Sequence, residues 1–333
     1  MTEAVHEAPA APPRRRINLG AVAPFLALGL ICVLGAAANS RFLSLDNLTN
    51  VLARSTFIAT IAVGQTLVIT GGGLDLSVGA MAAFVAGLEI LFLNSGLIEN
   101  ATLLILAAMA LSLAVGALCG LFNGVTSTLG KIEPFIVTLG TMGIFRSLLT
   151  WLAQGGSITI RNNDIRAAYR QVYFGDLFGV PYPVLVILGV AIVGAFILYR
   201  TAYGRHVRAV GSNEDVARYS GINVARVRTI TYVLQGLCVA LAVIVYVPRL
   251  SSASAATGLG WELMAITAVV VGGTRLKGGV GRVWGTIAGA LILEVIGNIM
   301  LLSNVVSEYL IGAVQGAIII IAMLAQRGLS RNR

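Results

Sequence analysis

Charge is what this chain has least of. Only 11% of its 333 residues are Asp, Glu, Lys or Arg, where a soluble domain carries about 25%. Histidine is nearly missing too: His6 and His206 are the only two, which excludes a histidine-based metal centre. Cys32, Cys119 and Cys238 each sit inside an apolar run. They read as small core residues, with neither a disulfide framework nor metal-ligand spacing. There is no G-x-x-x-x-G-K-[ST], so the chain has no ordinary cradle for ATP phosphates. There is no H-E-x-x-H and no G-x-S-x-G, so a protease or hydrolase has nothing to stand on. No catalytic residue, metal or cofactor is expected.

What is present is apolar. Hydrophobic residues make up 57% of the chain and the mean hydropathy is +0.89. The fold class these values predict is an all-α polytopic membrane protein, embedded in a lipid bilayer. The 23 Lys and Arg against 14 Asp and Glu leave a net charge of +9. The arginines flank apolar runs instead of forming one soluble basic face, so nucleic acid is not an expected partner.

At about 20 residues per span, ten spans are expected, at 20–38, 48–70, 77–96, 101–128, 134–153, 181–199, 228–248, 262–274, 283–302 and 307–325. The eighth is short and reads as broken or partly re-entrant. A transmembrane domain then covers 20–326, between cytoplasmic tails at 1–19 and 327–333. Residues 1–16 are Ala/Pro-rich and end in Arg14-Arg15-Arg16, the composition of a disordered tail. Ala36-Ala37-Ala38 resembles a signal-peptidase site, but the apolar run before it exceeds a signal core of about 7–15 residues, so an uncleaved first span is expected. With the N-terminus inside, the inner segments carry Lys131, Arg275, Lys277, Arg282, Arg327, Arg331, Arg333 and five arginines between Arg200 and Arg226. The outer ones carry only Arg41, Arg161, Arg166, Arg170 and Arg249. That asymmetry sets the orientation.

The one long basic interruption of the second half is Tyr199–Arg228, with Gly204, Gly211 and Gly221 spaced along it. Ser212 reads as a helix cap with Asp215 three residues on, starting a short helix from Asn213 to Tyr219 that Gly221 ends. This is either a docking surface or a solvated loop. In the outer segment 154–180, Asn163 to Tyr173 has helical spacing and lies flat on the surface, facing solvent or an acidic partner.

Two glycine-rich breaks, Thr70 to Gly79 and Gly272 to Gly281, resemble each other loosely and hint at two related halves. Asp75 or Ser77 caps the helix after the first; alternatively the break lines a polar route. The candidates for a translocation path are Gln65, Asp75, Ser77, Asn123, Glu294 and Asn298. Arg54, Glu89, Arg146 and Glu294 are the ionisable residues inside spans, expected in their outer halves with snorkelling as the simplest fate. No pair among them is spaced as a proton relay, which argues against an ion-coupled secondary transporter. Glycines repeat every fourth residue at Gly116, Gly120 and Gly124, at Gly285 and Gly289, and at Gly312 and Gly316. Such stripes let backbones approach, within the chain or across a dimer seam.

GGGLDLSVG, YGRHVRAVGSNEDVARYSGINV and ELMAITAVVVGGTRLKGGVGRVWGT together resemble the permease subunits of bacterial ABC importers for simple sugars, of the ribose, xylose, arabinose and galactose type. The resemblance runs from about residue 20 to the end. It departs at Ser212, where a second glycine is common, and at Gly73, where Ile is common. It implies a fold similar to the cobalamin-importer permease, and a permease homodimer in the bacterial inner membrane. It also implies two ABC ATPase subunits, a periplasmic sugar-binding protein and a monosaccharide substrate. Nucleosides and branched-chain amino acids are the alternative substrates within related importers. It places an ATPase-coupling helix in the basic loop, so that Gly204, Arg205, Gly211, Ser212, Asn213, Glu214, Asp215, Ala217, Ser220 and Gly221 become coupling residues, with Ala217 on the face that meets the ATPase cleft.

Overall fold

Among the described residues, twelve helices with assigned bounds account for most of the chain. The structure, a computed structural model, describes residues 19–303 and, beyond them, positions 310, 312–314, 316–317 and 320. Among the described residues six helices are long and apolar enough to cross a membrane: α2 (Leu45–Thr70), α4 (Ala101–Leu129), α5 (Pro134–Leu152), α7 (Tyr182–Arg200), α10 (Val224–Leu250) and α12 (Val283–Ser303). Three more are apolar: α1 (Leu19–Ala38), α3 (Val78–Leu93) and α11 (Trp261–Val271). Nine of the ten expected spans fall on these helices. The tenth, 307–325, and the two tails lie largely or wholly outside the described residues.

Local chemistry sets the ends. Asn100 accepts a hydrogen bond from the Leu103 amide to start α4, and Asn223 does the same for Arg226 in α10. That second cap begins α10 four residues before the expected boundary at 228. α11 stops after 11 residues because the chain turns at Gly273, whose φ is 84°.

The core is built on α10, which packs along α4 on one side and α2 on the other. Where α4 and α10 cross, a Cβ on Gly116 would lie 2.4 Å from the Gly236 carbonyl oxygen, and one on Gly236 would lie 1.9 Å from that of Gly116. Backbone touches backbone, and any larger residue pushes the helices apart. The stripe through Gly116, Gly120 and Gly124 therefore serves packing within the chain. The stripe at Gly285 and Gly289 does too, against Gly272 just past the end of α11 and Ala268 within it.

The expectation of an all-helical chain needs one correction. Four short strands stand at the end of the bundle that holds α6 (Asn163–Phe174). β1 (Ser157–Thr159) pairs antiparallel with β4 (Ser252–Ser254), Ile158 opposite Ala253, tying the segment after α5 to the segment after α10. β2 (Asp176–Leu177) and β3 (Val180–Pro181) make a hairpin. Period-2 alternation over three residues is too short to read in a sequence.

Candidate functional site

At the opposite end, α8 (Ala202–Ser212) and α9 (Glu214–Tyr219) fold the basic interruption into two consecutive helices. Thr201 caps α8, its hydroxyl accepting from the Gly204 amide at 3.0 Å. Gly204 packs on the end of α7, with the Leu198 carbonyl oxygen 2.3 Å from where a Cβ would stand, while Arg205 is exposed. Gly211 is pinned more tightly. A Cβ there would be 1.8 Å from the Thr70 carbonyl oxygen and 2.7 Å from the Gly279 nitrogen. The Gly279 amide itself donates to the Thr70 carbonyl at 2.9 Å. The two glycine-rich breaks, some two hundred residues apart in sequence, thus meet each other beneath α8, with Gly211 between them.

The cap of α9 is Asn213, whose side chain accepts from the Val216 amide at 3.0 Å. Ser212 is instead the last residue of α8, because Asn213 is extended (φ −160°) and separates the two helices. Gly221 ends the unit at φ 81°, and the Ile222 amide donates to the Ala217 carbonyl at 3.0 Å. Ala217 does not face outward as the sequence reading had it. It is 3% exposed, in one cluster with Val207, Val210, Val224 and Val227. The residue turned away from any partner anchors α9 to the bundle. Asp215, Val216, Tyr219 and Ser220 are exposed instead, Tyr219 at 91%. Val216 and Tyr219 are an i, i+3 apolar pair on a six-residue helix, a pattern visible in the sequence and overlooked there. Glu214 reaches sideways, to Arg218 at 2.6 Å and to Arg228 of α10 at 2.7 Å.

The candidate path residues fall into separate groups. Asp75, Ser77 and Asn123 come together with no solvent exposure. The Asp75 Oδ1 accepts from the Ser77 amide at 2.8 Å and its hydroxyl at 2.6 Å, and Asn123 donates to that hydroxyl at 2.9 Å. Asp75 Oδ2 and Asn123 Oδ1 make no hydrogen bond within the chain. Asp75 lies between α2 and α3. Burial pushes its carboxyl up to about 6, against the opposing pull of the two hydrogen bonds from Ser77. Tyr232 of α10, missed in the sequence, donates to the neighbouring Leu74 carbonyl at 3.2 Å. Gln65 is fully buried in α2, and both its amide atoms lack partners.

Glu294 and Asn298 belong elsewhere, on α12 against α2 residues that lie roughly 24 and 35 Å along α2 from Thr70. Glu294 pairs with Arg54 at 3.1 Å, and Asn298 exchanges hydrogen bonds with Asn47. The sequence reading found no pair spaced as a proton relay; α2 and α12 bring Arg54 and Glu294 together with side chains 41% and 25% exposed. Arg146 donates to the Ala255 and Thr257 carbonyls and lines an open cavity of about 710 Å³ with Ser147, Thr150, Trp151 and Gln154. Glu89 does not snorkel. It is fully buried, accepting from Ser112 of α4 at 2.9 Å and from Tyr169 of α6. Among the described residues no cluster of metal-ligating side chains exists.

Broken apolar helices around buried polar groups, with a short capped helix held outside the bundle, are the marks of a membrane transport subunit. Residues 47–323 match the family described as the permease component of branched-chain amino acid transport systems, and the chain belongs to that family. It is a multi-pass membrane protein. Among relatives, the ribose import permease protein of Haemophilus influenzae is 36% identical, over 93% of this chain and 94% of that one. The D-allose transport system permease protein of Escherichia coli is 31% identical, over 92% and 91%. The xylose transport system permease protein of Haemophilus influenzae is 29% identical, over 93% and 96%. The fold is shared with an inward-facing conformation of a protein assigned to the metal-chelate type of ABC transporter: TM-score 0.53, 14% identity, 91% of this chain and 98% of that one.

Proposed function

We propose that this chain is the membrane-spanning subunit of an ATP-binding-cassette importer that carries a monosaccharide, a pentose or hexose, into the cytoplasm by alternating access. The observation that carries the reading is α9. It is a rigid, capped helix whose inner residue Ala217 is locked to the bundle and whose outer residues Val216 and Tyr219 are left in the open. An apolar pair of that kind on a basic surface fits a partner's cleft. A chain without an ATP site uses ATP only through contact with one that has it. The relatives named for ribose, allose and xylose support a sugar as cargo.

In this reading the permease has ten spans in the manner of the cobalamin importer, and the α9 end faces the cytoplasm. The chain crosses the bacterial inner membrane and pairs with a second copy. The partly exposed faces of α5, including Gly140 and Gly143 with nothing within 4 Å of a built Cβ, leave room for that pairing. Two ATPase subunits dock on α9, and a periplasmic binding protein delivers the sugar at the α6 end. Asp75, Ser77, Asn123 and Gln65 contribute polar groups to the route when the bundle reopens.

The test is reconstitution with the ATPase and binding protein in proteoliposomes. ATP-dependent uptake of labelled ribose, allose or xylose is expected. Uptake of leucine with none of the three sugars would replace the sugar reading by an amino-acid one. Tyr219→Ala should cost about 2 kcal/mol of ATPase association, as an exposed aromatic anchor does, and co-purification at the wild-type level would move the docking site off α9.

A further inference from the structure

Docking alone does not couple; what α9 feels must reach the polar break inside the bundle. α9 is tied to the rest of the protein unevenly. On one side Ala217 packs into the cluster with Val207 and Val224. On the side of the α4–α5 turn there is a cavity of about 620 Å³, bounded by Lys131 and Glu133 across from Glu214 and Arg228. At its edge, among the described residues, the one direct polar tie between α9 and α10 is the pair of Glu214 Oε2 and Arg228 Nη2, at 2.7 Å.

Arg228 has a second neighbour. A Cβ on Gly72 would be 3.8 Å from its Nη2, so the guanidinium lies against the backbone of the first glycine break. Its Nε is buried and makes no hydrogen bond within the chain. One turn further along α10, Tyr232 donates to the Leu74 carbonyl, next to Asp75. Arg228 is also placed against helix electrostatics, five residues into α10, near the positive end of the helix dipole. The exposed i, i+4 partner of Glu214, Arg218, has no such inner neighbour: its side chain is 62% exposed, against 22% for Arg228.

We infer that Arg228 is a positioning residue for coupling: it links the docking helix, through Glu214, to the Gly71–Ser77 break, so that a displacement of α9 shifts the backbone around Asp75. This rests on the proposed importer function, with α9 as the docking helix. Coupling between two sites requires an element whose arrangement both of them bias. Here that element is the break: the Gly71, Gly72 and Gly73 amides close the end of α2 onto Leu67, Ile69 and Val68, and the residues from Leu74 to Ser77 run on to α3 without a helical hydrogen-bond ladder to resist the shift.

The experiment uses the complete complex of permease, ATPase and binding protein in proteoliposomes, measuring ATP hydrolysed per sugar taken up. Arg228→Ala should raise that ratio about fivefold or more, the low end of ordinary coupling strengths, with ATPase co-purification retained. Arg218→Ala should change the ratio much less. To separate coupling from folding, the pair is exchanged as Glu214→Arg with Arg228→Glu in an Arg218→Ala background; the exchange keeps the charge of that background, and the background removes the competing partner. The exchange should recover most of the coupling lost in Arg228→Ala. Wild-type coupling in Arg228→Ala overturns the inference, as does an exchange that docks the ATPase normally and stays uncoupled. Should the wild-type complex take up none of the sugars, the sugar reading fails separately. Stimulation of hydrolysis by the binding protein then reads the same variants: loss in Arg228→Ala with recovery in the exchange supports the link, and unchanged stimulation overturns it.

Discussion

Two fully buried carboxylates sit at opposite ends of this bundle, and their surroundings differ. Glu89 lies within α3, a continuous helix, and both its oxygens are used, one by Ser112 of α4 and one by Tyr169 of α6. Asp75 lies in a break between helices, and only Oδ1 is used, mostly by Ser77 two residues on. A buried polar group with every valence met is a staple: it joins three helices and has nothing left to offer a passing solute. A buried acceptor left free is costly unless another state of the protein, or a ligand, meets it. The comparison assigns Glu89 to architecture and Asp75 to the route.

The hardest blow to that assignment comes from Glu89→Ala. It strands the Ser112 and Tyr169 hydroxyls and opens a hole between α3, α4 and α6, at about 1–3 kcal/mol for each stranded group. Roughly 3 kcal/mol or more of stability should be lost, seen as a large drop in thermal unfolding temperature in detergent and in membrane protein level. Uptake per surviving molecule should hold. A stable Glu89→Ala protein that no longer transports would make Glu89 a route residue and dissolve the contrast.

Asp75→Asn is the reciprocal probe. The amide oxygen still accepts from the Ser77 amide and hydroxyl, so stability should stay within about 1 kcal/mol. The group presented in place of the free oxygen loses its charge and becomes a donor. Uptake per molecule should fall about tenfold, the effect of ~1.4 kcal/mol on a limiting barrier. Unchanged uptake would reduce Asp75 to a device that starts α3.

What the sequence showed of this contrast follows from how local each feature is. The break around Asp75 was legible because three consecutive glycines and an Asp interrupt an apolar run. The short helix before Gly221 was legible for the same reason, though its cap moved by one residue: only the extended backbone at Asn213 separates α8 from α9. Glu89 was visible as an ionisable residue in a span, but its fate was not. Its partners lie 23 and 80 residues away, and no periodicity reports that Tyr169 of a surface helix points inward. The inward face of Ala217 was hidden likewise, because on a six-residue helix the buried side is chosen by the neighbours. The meeting of the two glycine breaks at Gly211 is a fact of topology: each break was readable, their contact was not.

The smallest expected effect, and the most direct reading of the Asp75 environment, is its pH linkage. Burial raises this carboxyl from 3.8 to about 6. Between those two values the folded protein holds a proton that the unfolded chain has released. The stability Asp75 contributes in its protonated form is therefore complete below about pH 4 and is lost as the pH rises through about 6. Between pH 5 and pH 7 wild type should lose about 1 kcal/mol more stability than Asp75→Asn, which has no proton to release there. Unfolding of both proteins in the same detergent at the two pH values gives the difference directly, with every other titrating group common to both. A difference near zero would mean that Asp75 is met by solvent or by a partner group in the working protein, and that the free Oδ2 is not the mark that separates it from Glu89.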